Sequence, residues 1–216
     1  MPDNAALLAE IAKEMLVTAG WTGRPRLSPR VAAALAKVRR EAFVPHGSEH
    51  AAYENRPLPI GCGQTISQPY IVAIMTELLD LQPTDKVLEV GTGSGYQAAV
   101  LAGLTDSVYS IEVIPELAQR AAVALAAEGY RNIKLRTGNG ALGWPEEAPF
   151  DAIIVTAAAP QIPPALVEQL RAGGRMMIPV GPHRGDQMLV LITRNDAGET
   201  TQRDVLPVAF VPLTGG

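Results

Sequence analysis

KVLEVGTGSGY, residues 86–96, runs from a short apolar strand straight into three glycines at alternate positions. Val87 to Val90 reads as a buried strand; Gly91, Gly93 and Gly95 follow it, with Glu89 two residues ahead of the first glycine. A strand-to-helix turn of this kind needs backbone angles that a Cβ resists, and it lets a ligand approach the main chain closely. The helix expected after Ser94 turns its first amides, and the positive end of its dipole, toward whatever sits above the turn.

The spacing narrows the choice of ligand. A dinucleotide fingerprint is GxGxxG, whereas the glycines here follow GxGxG and Tyr96 comes next. The lysine and second hydroxyl of a phosphate loop are also missing. Glu89 adds a negative charge that repels a phosphate and welcomes a cationic amino-acid group. S-adenosylmethionine fits this combination. Glu112, 21 residues after Gly91 at the end of a second strand, stands where a carboxylate accepts hydrogen bonds from both hydroxyls of a ribose. Thr137 and the turn Gly138-Asn139-Gly140 follow a third strand, and Asn139 there either meets an adenine edge or serves an ordinary Asn-Gly turn.

Other candidates are less specific. Ser67 precedes a proline-led helix start, so it either caps that helix or binds a substrate carboxylate. His46 and His50 are four apart but sit beside Pro45 and Gly47, and they read as loop residues, with no metal expected. Cys62, the single cysteine, lies between two glycines without a basic neighbour in sequence and reads as incidental.

A chain of 216 residues with 47% hydrophobic content supports one sizeable core and one domain. Its 18 basic against 22 acidic residues give a net charge of -4, no electrostatic footprint for nucleic acid. A lone cysteine excludes an internal disulfide and points to a reducing cytoplasm. The opening MPDNAALLAEIAKEM lacks a basic segment followed by an apolar run, so neither secretion nor a membrane partner is expected.

Apolar periodicity predicts helices over residues 5–19, ending at Gly20, and from Ser28-Pro29 onward, with Val31, Leu35 and Val38 on one face. Residues 41–66 read as an irregular, functional loop rich in proline and glycine, and 68–81 as a helix. After the glycine turn the pattern alternates: helix 94–103, strand 108–112, helix 115–128, strand 132–136, strand 150–156, helix 163–171 and strand 175–180. Strands 187–193 and 203–210 then form a hairpin around RNDAGET. The fold class is therefore α/β, a doubly wound, mostly parallel sheet with an antiparallel terminal strand and N-terminal helices.

The run PLPIGCGQTISQPYIVAIMTELL (57–79), with VLEVGTGSGYQ, PFDAIIVTAA, GGRMMIPVG and FVPL, resembles the protein-L-isoaspartate O-methyltransferase family from about Arg40 to Leu213. The resemblance implies a Rossmann-like methyltransferase domain over 1–216. Residues 1–82 hold the helices and substrate loop, and 83–216 the cofactor sheet. It implies methyl transfer from S-adenosylmethionine to L-isoaspartyl carboxylates of damaged proteins and peptides, by a cytoplasmic monomer. Ser67 matches the family's active-site serine, and Ile60, Thr65 and Ile66 its substrate loop. Glu89, Gly91, Thr92 and Gly93 match contacts to the methionine part of the cofactor, Glu112 its ribose ligand, and Gly138, Asn139 and Gly140 its adenine contact. Three departures stand out. Asn139 replaces the usual Asp, which implies weaker cofactor binding; Ala141 replaces a frequent tryptophan; and the VPRE motif reads Val38-Arg39-Arg40-Glu41. Redirection to a dedicated peptide aspartate, or a cofactor-binding module without catalysis, are the alternatives.

Overall fold

The computed structural model describes residues 3–182 and 184–215. Helix α1 (Asn4–Thr22) opens under Asp3, whose carboxylate accepts the Ala6 N–H at 2.8 Å. It passes through Gly20, the expected stop, and ends at Gly23, which takes a left-handed φ of +70° and bonds back to the Ala19 carbonyl. Its buried side carries Leu7, Ile11 and Met15, each contributing roughly 1.5–3 kcal/mol on burial. Helix α2 (Pro29–Lys37) starts as expected, with the Ser28 hydroxyl accepting the Val31 N–H.

The segment expected to be irregular holds ordered structure. Arg40–Phe43 and Glu49–Ala51 form 3-10 turns, and β1 (Leu58–Gly61) pairs antiparallel with β2 (Gln64–Ile66). The hairpin was illegible because Pro57 and Pro59 mask a strand that alternates buried and exposed only over four residues. Helix α3 (Pro69–Leu79) is buried almost all round and leads into the sheet.

The sheet begins with β3 (Lys86–Val90), α4 (Tyr96–Ala102), β4 (Ser107–Glu112), α5 (Pro115–Ala127) and β5 (Ile133–Thr137). It continues with β6 (Phe150–Val155), α6 (Pro164–Gln169), β7 (Leu170–Val180), β8 (Gln187–Arg194) and β9 (Thr200–Val208). Strand order is β5-β4-β3-β6-β7-β8-β9. The first five run parallel, and β8 is antiparallel to both its neighbours. The central strands are buried on both faces, so their sequences are mostly apolar: Val87 and Ile154 face one core and Leu88 and Ile153 the other. No helix among the described residues is long and apolar enough to cross a membrane.

Candidate functional site

Crossover direction reverses between β3 and β6, the position at which open α/β sheets bind ligands beyond the carboxyl ends of their strands. Two adjoining cavities open there. The first is lined by Val90 to Ser94 after β3, Ile111 to Ile114 after β4, Gly140 after β5 and Thr156 after β6. The second, about 590 Å³, lies between α1, the hairpin and the segment that follows β9. Thr65, Ser67, Thr156 and Val211 face both.

The glycine turn lets main chain form part of the first cavity. Gly91 takes φ +96°, and a Cβ added there would sit 2.5 Å from Thr156 Oγ1. That hydroxyl donates to the Gly91 carbonyl at 2.6 Å, clamping the turn to β6. A Cβ on Gly140 would overlap Val90 Cγ1. Glu112 accepts the Gly93 N–H at 2.8 Å through Oε2 and the Ile114 N–H at 3.0 Å through Oε1, so the main chain orients both oxygens while each keeps lone-pair capacity. Val211 to Thr214 also line this cavity, tied down by the Ala158 N–H to Val211 and the Leu213 N–H to Ala158, each 2.8 Å. With that segment in place the cavity measures about 70 Å³.

Glu89 departs from expectation. It does not line the cavity but is fully buried beneath the turn, where Ser110 donates to Oε2 and in turn meets Thr92 Oγ1 at 2.6 Å. Burial pushes its carboxyl up to about 8, the Ser110 hydrogen bond opposing and Glu112 adding to the rise. The ligand-free side chain is therefore protonated at neutral pH, and the fixed negative charge expected from the sequence is absent. Among the described residues Glu89 Oε1 is the one buried side-chain polar atom without a partner.

Ser67 is half-buried and does not cap α3. The N-cap is Gln68, with no side-chain cap, and among the described residues the Ser67 hydroxyl has no hydrogen-bond partner. Its backbone is held by Arg40, a fully buried side chain that donates to the carbonyls of Ala52 (2.7 Å), Ser67 (3.1 Å) and Arg56 (3.3 Å). The guanidinium also lies 4.9 Å from the Tyr96 ring centroid, and desolvation pulls it down to about 10. One cation thus fastens three points of the 52–67 segment to the start of α4.

Of the residues singled out from the sequence, the first cavity gathers Thr65, Ile66, Ser67, Gly91, Thr92, Gly93, Glu112 and Gly140. Ile60, expected at the substrate, instead packs behind the glycine turn, its Cδ1 3.6 Å from where a Gly93 Cβ would lie; β1 alternation turns it inward. Gly138 and Asn139 lie outside the lining. Asn139 Oδ1 accepts the Ala141 N–H at 2.9 Å and its Nδ2 donates to the Gly215 carbonyl. Cys62 does acquire a basic neighbour, Arg120 at 3.8 Å, across 58 residues of chain. His46 meets Glu49 and His50 the Gly47 carbonyl, so the two do not converge. Thr156, Glu14, Trp21 and Phe210 were missed. Thr156 had a detectable signal, a polar residue ending an apolar strand.

A family model described as protein-L-isoaspartate(D-aspartate) O-methyltransferase matches residues 12–216. The chain is 56% identical over 213 residues to protein-L-isoaspartate O-methyltransferase 2 of Syntrophobacter fumaroxidans, covering 99% of this chain and 86% of that one. It is 55% identical over 209 residues to the Polaromonas sp. protein of the same name, covering 97% and 99%. A solved protein-L-isoaspartate O-methyltransferase superposes with a TM-score of 0.85 at 26% identity, over 99% of this chain and 66% of that one. A Plasmodium falciparum structure in complex with S-adenosyl-L-homocysteine superposes at 0.78 and 24% identity, over 96% and 98%, a likeness of fold.

Proposed function

This chain belongs to the protein-L-isoaspartate(D-aspartate) O-methyltransferase family, and we propose from that premise how its residues carry the reaction. It is an S-adenosylmethionine-dependent carboxyl O-methyltransferase, acting on L-isoaspartyl residues of proteins and peptides as the first step of their repair. S-adenosylmethionine, when bound, supplies a methyl on a cationic sulfur, so the methyl–oxygen bond forms as the methyl–sulfur bond breaks. The acceptor carboxylate, with a pKa near 4, is already ionised at pH 7, so no general base is required. Catalysis is then positioning and exclusion of water.

The observation that carries the assignment is the unpartnered Ser67 hydroxyl on the wall shared by both cavities. Ser67 donates to the substrate carboxylate and orients one oxygen toward the methyl, while Thr65 and Ile66 present main-chain groups to the kinked isoaspartyl backbone. Ile60 acts indirectly, by propping the glycine turn. Gly91, Thr92 and Gly93 cradle the methionine part, Glu112 takes the ribose hydroxyls, and Gly138, Asn139 and Gly140 border the adenine. The residues fit that ligand: the Gly91 cradle is space that a Cβ would fill, and both Glu112 oxygens keep lone-pair capacity for the ribose. The same reading has 1–216 act as one domain, 1–82 serving the acceptor and 83–216 the cofactor, in a cytoplasmic monomer.

Ser67→Ala tests it. Turnover on an isoaspartyl peptide is expected to fall about 100-fold or more, as for loss of one oriented donor at a reacting oxygen, with S-adenosylhomocysteine affinity within about twofold. An unchanged methylation rate would sink the assignment. Radiolabelled methyl transfer to isoaspartyl and aspartyl versions of one peptide separates repair from the alternatives. Equal labelling points to a redirected enzyme, and cofactor binding without labelling to a module without catalysis.

A further inference from the structure

The second cavity contains a charge that methyl transfer itself does not need. Among its lining residues Glu14 alone is charged, and it lies on the same side of α1 as Thr18 and Trp21, four and seven positions further on. Among the described residues no cation pairs with it. Two neutral amides hold it: Asn55 Nδ2 donates to Oε2 at 2.7 Å, and Gln68 Nε2 reaches both oxygens at 3.2–3.3 Å. Gln68 directly follows Ser67, so this carboxylate is fixed on the wall of the same cavity as the hydroxyl at which the acceptor carboxylate docks. Two like charges in one cavity weaken substrate binding unless the substrate brings a cation of its own. The rest of the wall suits one. Trp21 is 64% exposed at the rim and Phe210 stands on the facing segment, offering aromatic faces for an ammonium or guanidinium and apolar surface for its stem. Arg203 approaches the rim only through a hydrogen bond to the Trp21 carbonyl and does not line the cavity.

Resting on the methyl-transfer reading above, we infer that this cavity is a flanking-residue subsite. Glu14 selects isoaspartyl substrates with lysine or arginine next to the damaged residue and disfavours those with an acidic neighbour. Glu14 is a specificity residue and takes no part in bond making.

The test uses matched isoaspartyl peptides with Lys, Gln or Glu immediately before or immediately after the isoaspartate, compared by kcat/KM in the full-length protein. In the wild type, Lys is expected to exceed Glu by roughly fivefold or more at one or both positions, as for a partly exposed charge pair. The ratio should shrink as salt is raised. Glu14→Gln keeps a hydrogen-bond acceptor for Asn55 and Gln68 while removing the charge, and should bring the ratio below about twofold. A ratio near one in the wild type at both positions, a ratio indifferent to salt, or the same ratio in Glu14→Gln would overturn this inference alone. Failure to methylate any of the peptides would overturn the methyl-transfer reading and this inference with it.

Discussion

Between Lys86 and Glu112 two adjacent parallel strands and the turns that leave them supply the glycine turn and the carboxylate of the proposed donor cavity, whereas the side chains singled out in the proposed acceptor cleft come from parts far apart in the chain. Glu14 and Trp21 come from α1, Ser67 from the loop after β2, and Phe210 from beyond β9. In the proposed reading the donor side recognises its ligand at a glycine turn, where a single added methyl group is disruptive. In the same reading the acceptor side recognises with side chains mounted on separate elements, where substitution alters preference before it alters architecture. One site thus combines a part that resists change with a part that can be retuned.

The strongest way to break this contrast is Gly91→Ala. Its left-handed backbone and the 2.5 Å approach to Thr156 predict a loss of roughly 100-fold in S-adenosylhomocysteine affinity, measured by calorimetry, with lower stability to urea. Binding within about threefold of wild type would refute the claim that the donor side is intolerant. Arg40→Lys comes next, because a lysine keeps the charge but cannot span three carbonyls. Each carbonyl left without a donor costs about 1–3 kcal/mol, so the melting temperature falls. Peptide kcat/KM should fall about tenfold while cofactor affinity stays within about threefold, and an equal loss of both would show that Arg40 does not serve the acceptor side selectively.

Glu89→Gln gives a pH signature. In the folded chain this carboxyl titrates at about 8, against 4.5 when unperturbed, so between those values the folded state holds a proton that the unfolded state has released. Stability from this group is complete below about 4.5 and is lost as pH rises through about 8. Urea midpoints of the ligand-free protein should therefore decline across that window, and the decline should flatten in Glu89→Gln. Parallel curves for the two proteins would contradict the burial argument. The smallest effect expected is that of Asn139→Asp, which keeps an acceptor for Ala141 but removes the donor to Gly215. Freed of that contact and newly anionic, the side chain should bind the adenine amino group better and tighten S-adenosylhomocysteine about threefold. Weaker binding would mean that the tie to Gly215 matters more than the adenine edge.

Much of the fold was legible. From β3 to β9 the expected strands lie within three residues of the observed ones except β7, which begins at Leu170 inside the expected helix 163–171; a parallel sheet buried on both faces leaves apolar runs such as Ala152–Val155. The β1–β2 hairpin was not, since its strands are short and β1 carries Pro59, and Ile60 packs behind Gly93 through a contact that no local pattern shows. In the site, the glycine turn and Glu112 announced themselves by spacing. Thr156 and Glu14 had no comparable spacing to reveal them, and Ser67 was ambiguous until its hydroxyl proved not to cap α3.

By itself the sequence determined the alternating sheet, the glycine turn, the carboxylate at the end of β4 and, through the 57–79 motif, the family. These depend on backbone conformation and burial periodicity, which neighbouring residues dictate. Only the tertiary structure decided that Glu89 is buried and protonated, that Arg40 anchors Ser67, that Ile60 faces the turn and that α1 supplies the cleft's one charge. Those outcomes depend on which distant groups share a desolvated space, and through-space electrostatics and packing leave no trace in the order of residues along the chain.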